Sequence, residues 1–308
     1  MSPEPVLPIR GSAAPIQPTN ARRSRCFDWS IHMSKNALPV AATLAAFVSA
    51  VPVSAGSFAP AAGQPGSTAI DKDSESFVAW ATGVDSITRG PQDINNPAGP
   101  VADFGTPDLA LGKAVGDSFD VVSLGDGGQI TLTFDQPITN GVGADFAVFE
   151  NGFGDTFLEL AFVEVSSNGT DFFRFDAISE TPTDTQVGGF GAVDPTNLYN
   201  FASKYRQGFG TPFDLEELVG LSVLLDTDSV THVRLIDVVG RIDAAPGNPG
   251  YAPSLDSLGN IVNDPYATPF GSGGADIDAV GVINQVPEPA TLALFALGLA
   301  AVGVRRRR

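Results

Sequence analysis

Four acidic side chains stand out by their spacing. Glu150 falls in phase with Phe146 and Val148, and Glu159 with Ala161, Val163 and Val165. Asp276 and Asp278 fall in phase with Val280 and Val282. Strand side chains alternate with period two, so if the valines face a core, all four carboxylates point inward at strand ends. A carboxylate withdrawn from water needs hydrogen bonds or a cation. Two outcomes meet that need. Glu150, Glu159, Asp276 and Asp278 bind calcium, a hard cation that takes oxygen ligands, or each acid accepts bonds from backbone N–H groups and caps a loop.

A second group is aromatic. Tyr199, Tyr205 and Phe209, with Arg206 among them, lie in a long stretch, 181–218, that breaks the strand rhythm. Exposed aromatic faces stack on sugar rings and polar neighbours bond to hydroxyls, so these four residues are expected to bind polysaccharide. The competing expectation is that the rings tuck over a sheet edge. Within the same stretch Asp214 is placed to cap a short helix, with Glu217 three residues on.

Enzymatic machinery is sparse. His232 is the only histidine after residue 32, and it alternates with Val233 and Leu235 as an ordinary strand residue. No nucleophile elbow, phosphate-binding loop or H-E-x-x-H motif occurs. The expected protein is therefore non-enzymatic. The alternative is a secreted carbohydrate-active hydrolase that uses two carboxylates.

The elements that must position these residues are strands. Thirty-four glycines and twenty-four prolines punctuate short apolar runs. Strands are expected at 77–80, 121–124, 129–134, 145–150, 159–166, 172–178, 221–225, 230–239 and 279–283. Asn168-Gly169 predicts a tight hairpin turn between two of them. Such a pattern implies an all-β fold, an antiparallel β-sandwich or jelly roll. The run Val163-Glu-Val-Ser-Ser-Asn-Gly169 resembles a hairpin of discoidin-like and carbohydrate-binding jelly rolls. That resemblance implies a structural calcium at the sandwich edge.

Charge divides the chain. The whole carries −18, but residues 56–289 hold eight basic against thirty-three acidic side chains, a net of −25. So acidic a body repels nucleic acid. The single cysteine, Cys26, lies upstream of the body, which therefore has no disulfide or thiolate site. Met33-Ser-Lys, an apolar stretch and Val53-Ser54-Ala55 read as a signal peptide over 33–55. Translation is expected to start at Met33, leaving 1–32 as a non-native or disordered leader. One β-sandwich domain with an insertion at 181–218 is expected over 56–285, and a separate tail over 286–308.

In that tail Pro287-Glu288-Pro289 is followed by fifteen uncharged residues and by Arg305, Arg306, Arg307 and Arg308. The apolar run suits a short transmembrane helix held by arginines on the cytoplasmic side. Motif, helix and arginine cluster together resemble the PEP-CTERM sorting signal of Gram-negative bacteria. The resemblance implies a transient inner-membrane anchor processed by an exosortase, release to the cell surface or matrix, and association with exopolysaccharide and biofilm.

Overall fold

The computed structural model describes residues 56–287. The leader, the signal peptide and the tail from Glu288 onward, with its expected membrane helix, lie outside the described residues. No helix among those described is long and apolar enough to cross a membrane.

The described chain is all-β, with only short 3-10 turns between its strands. In chain order these are β1 (Ile70–Asp71), β2 (Ala79–Trp80), β3 (Gly83–Thr88), β4 (Val122–Ser123), β5 (Gln129–Ile138), β6 (Phe146–Glu150) and β7 (Ala161–Ser166). They continue as β8 (Phe173–Arg174), β9 (Ile178–Ser179), β10 (Leu198–Tyr199), β11 (Phe209–Phe213), β12 (Val230–Asp237) and β13 (Asp276–Val282). A six-stranded sheet runs β1-β11-β6-β13-β2, with β4 also on β13, and a five-stranded sheet runs β3-β5-β12-β7-β8. All named pairings are antiparallel.

Alternation explains the core. Ile130, Leu132, Val163, Val165, Val233 and Leu235 from the five-stranded sheet meet Phe146, Val148, Phe213, Val280 and Val282 from the six-stranded one in a single buried cluster. The other face of the six-stranded sheet is covered too: Ala147, Phe149 and Ala279 pack with Phe77 and Trp80. That second covering explains why β6 and β13 are buried at every position.

Two sequence expectations need correction. Asp276 and Asp278 do not simply share the phase of Val280 and Val282, because β13 carries a bulge: Ile277 faces Glu150 while Ala279 faces Phe149. The extra residue lets Ile277 and Val280, three apart, both enter the central core. Residues 221–225 form no strand. Leu221, Val223 and Leu224 are exposed, and the preceding Gly220 turns with φ +77°. The stretch 181–218 contributes β11, which fills the position between β1 and β6.

Phe209-Gly-Thr-Pro-Phe213 conceals that strand behind two residue types that normally weaken one. Gly210 is required by close approach: a Cβ there would lie 2.8 Å from the Phe149 ring and 2.9 Å from Ala147. Pro212 lies beyond the reach of β1, which pairs only Phe209 and Gly210, so its missing N–H breaks no ladder on that edge.

The β7–β8 hairpin forms, with Val165 opposite Phe173. Its turn is longer than Asn-Gly alone suggests. Gly169 has φ +72°, and Asn168 Oδ1 accepts from the amides of Thr170 and Asp171. His232 sits on β12 with Nδ1 2.7 Å from the Thr231 hydroxyl. The body closes at Val286, whose N–H donates to Pro137 O at 2.9 Å, one residue before the exposed Pro287.

Candidate functional site

All four acids singled out by spacing are buried. Three are brought to one end of the fold, and the fourth is elsewhere. Glu150 ends β6 on the inner phase, and its Oε2 accepts from Gly152 N at 2.8 Å. Glu159 precedes β7 on the inner phase of the opposite sheet, where no hydrogen bond reaches its carboxylate from the described residues. Asp276 opens β13 and accepts from the Ser123 hydroxyl and, at 2.9 Å, from Asn151 Nδ2.

Asp278 is set apart. It accepts from the amides of Val115 at 3.0 Å and Gly116 at 2.8 Å, the loop-capping role. Among the described residues no three acidic, histidine or cysteine side chains stand together as a metal-ligand set.

Glu159 and Asp276 line a cavity of about 350 Å³. Four phenyl rings on its rim are open to solvent: Phe119 (77% exposed), Phe153 (59%), Phe190 (74%) and Phe270 (47%). Three of them, Phe153, Phe190 and Phe270, form a ladder with Phe157. Ring centroids are 4.3 Å apart for Phe153 and Phe157, and 6.0 Å apart both for Phe157 and Phe190 and for Phe190 and Phe270.

The loops that carry these rings are fixed by glycines. A Cβ on Gly189 would lie 2.1 Å from the carbonyl oxygen of Ala267, so only glycine lets the Phe190 loop pack against the Phe270 segment. Gly152-Phe153-Gly154 and Gly189-Phe190-Gly191 are the sequence signal that could have revealed the rim.

The floor is electrostatically unusual. Burial, with the negative charge of Glu150 and Asp276, pushes the Glu159 carboxyl well above the usual carboxylate range. Burial and Asp276 do the same to Glu150. Asp276 is raised only to about 6, because the hydrogen bonds of Ser123 and Asn151 and the charge of Arg89 oppose its burial. Glu150 Oε1 and Asn151 Oδ1 are buried without a partner. Asn151 lines the cavity and Glu150 lies behind it, so the wall offers an open acceptor at Asn151.

The aromatic set expected to bind ligand is dispersed. Tyr205 is almost wholly buried, its hydroxyl 2.8 Å from Thr68 Oγ1, so its ring is part of the interior and not an exposed platform. Arg206 pairs with Asp155 at 2.8 Å and lies over the Phe209 ring. Tyr199 lines a cleft of about 550 Å³ with Lys204 and Glu217, and its hydroxyl donates to Glu217 at 3.0 Å.

Comparison with protein families assigns the other end of the chain. Residues 285–308 match the PEP-CTERM protein-sorting motif. The chain carries that sorting motif. The PEP-CTERM match begins at Gln285, which bridges Ile138 at the edge of the body, so folded domain and motif meet without an intervening linker. A PEP-CTERM motif marks a protein for export and for sorting towards the cell surface. No curated protein matches the chain.

Proposed function

We propose that the protein is a non-enzymatic binding protein of the cell surface or extracellular matrix, sorted through its PEP-CTERM tail by an exosortase. Its β-sandwich body binds polysaccharide in the cavity between Glu159 and Asp276. One observation carries this reading: exposed phenyl rings from separate loops border a cavity floored by buried carboxylates. Rings held open to solvent by a rigid scaffold suit stacking on sugar faces, and the acids suit hydroxyl donors. Replacing both Phe153 and Phe190 with alanine should abolish retention on a glycan array. Retention equal to that of the unchanged protein would sink the reading.

A second reading draws on the shared cavity. Glu159, desolvated and without hydrogen bonds, has the environment of a proton donor, whereas Asp276, held by two donors, has that of an ionised partner. Glycan hydrolysis that is lost in Glu159→Gln would support it.

Calcium is a further proposal for this floor. It is supported by the unpartnered oxygens of Glu150 and Asn151. It would have to draw on Glu150, Glu159 and Asp276 without Asp278, and the lack of a three-acid ligand set among the described residues weighs against it.

A further inference from the structure

The cavity floor holds two buried carboxyl groups, Glu159 and Asp276. None of the side chains lining it is Lys, Arg or His. The basic side chains of residues 56–287 are engaged elsewhere. Arg174 and Arg234 bond to Glu164, Arg206 to Asp155, and Lys72 and Lys113 to Asp73. Lys204 and Arg241 donate to main-chain carbonyls. Arg89 is near enough to Asp276 to influence it, yet its guanidinium bonds go to the carbonyls of Phe104, Ser123 and Gly105.

Behind the floor, Glu150, Asp264 and Asp237 add further buried acid to the field at Glu159. Asn151, itself buried on the cavity wall, keeps its Oδ1 without a donor. A neutral sugar hydroxyl would satisfy one acceptor but no charge. An ammonium group brings both donors and charge, and phenyl faces attract cations through the negative face of the ring.

We infer that the cavity takes a saccharide bearing a cationic amine, with the ammonium seated between Glu159 and Asp276 and flanked by the phenylalanine rim. This inference rests on the polysaccharide-binding reading above. It sharpens that reading to a class of sugar, one with free or methylated amino groups in place of neutral acetamides.

The test uses the full chain in mild detergent and three tetrasaccharides: trimethylated glucosamine, whose charge is fixed at any pH, N-acetylglucosamine and glucose. Calorimetric titration at pH 8 should give the trimethylated sugar an affinity about tenfold or more above the other two. Glu159→Gln should bring the three to parity. Asp85→Asn, on an exposed strand position, should leave the preference intact. Equal binding of all three sugars would overturn the amine inference and leave the glycan reading standing. A cationic preference that survives Glu159→Gln would assign it to the general acidity of the body and also overturn the inference. Binding of none of the three would sink both readings.

Discussion

Glu159 and Asp276 reach one cavity from opposite sheets, Glu159 ahead of β7 in the five-stranded sheet and Asp276 at the start of β13 in the six-stranded sheet. The two acids are more than a hundred residues apart in sequence and meet at one cavity because both strands begin beside it. Their neighbours differ, since Asp276 has Ser123 and Asn151 as donors and Glu159 has none. An uncompensated carboxylate at this position costs the fold stability, the usual mark of a side chain kept for binding.

That cost can be measured. Glu159→Gln keeps the shape and removes a carboxyl whose ionisation burial opposes, so the variant should melt several degrees above the unchanged protein at pH 8 and lose its preference for the cationic sugar. A lower melting temperature would mean that Glu159 is a structural residue.

The pH dependence of stability has a defined sign. Asp237 is pushed up to about 8 and Asp126 to about 7, each first by burial and then by nearby acids. Their folded pKa values exceed the ordinary unfolded value near 3.8. The folded state therefore binds protons more tightly, and its advantage is complete below about pH 4 and lost as pH rises through about 7 and 8. Melting followed from pH 5 to 9 should show a falling temperature, and Asp237→Asn should flatten the upper part of that fall. A rise across the range would contradict these shifts.

Asp278→Ala should destabilise the body by about 1–3 kcal/mol, because it strands the amides of Val115 and Gly116. The loss should be the same in calcium and in chelator. Denaturant unfolding under both conditions checks this, and a loss seen only in calcium would restore Asp278 as a metal ligand.

Gly210→Ala should cost about 1–3 kcal/mol by overpacking, since the new methyl meets Phe149 and Ala147 across β11 and β6. Unchanged stability in a denaturant melt would show that β11 is not a fixed part of the sheet.

Much of this was legible in the sequence because alternation is a local signal. β5, β6, β7 and β12 show in their apolar period, and the inward phase of Glu150 and Glu159 follows from the same alternation. What escaped is what local patterns do not encode. The bulge that breaks the phase of Asp276 and Asp278 depends on pairing with β6. β11 was hidden by Gly210 and Pro212, whose fitness for a strand is decided by Phe149 and by the short reach of β1. Tyr205 looked like a surface ring until Thr68 and the sheet edge closed over it. The rim was missed because Phe153, Phe190 and Phe270 come from three loops that meet only in the fold.

The central claim, that polysaccharide occupies the Glu159–Asp276 cavity, is tested most directly by amide hydrogen exchange with and without bound glycan. Protection should appear in residues 151–159, 188–191 and 268–276 and be absent around Tyr199 and Lys204. Protection confined to the Tyr199–Glu217 cleft, or no protection at all with glycan bound, would contradict it.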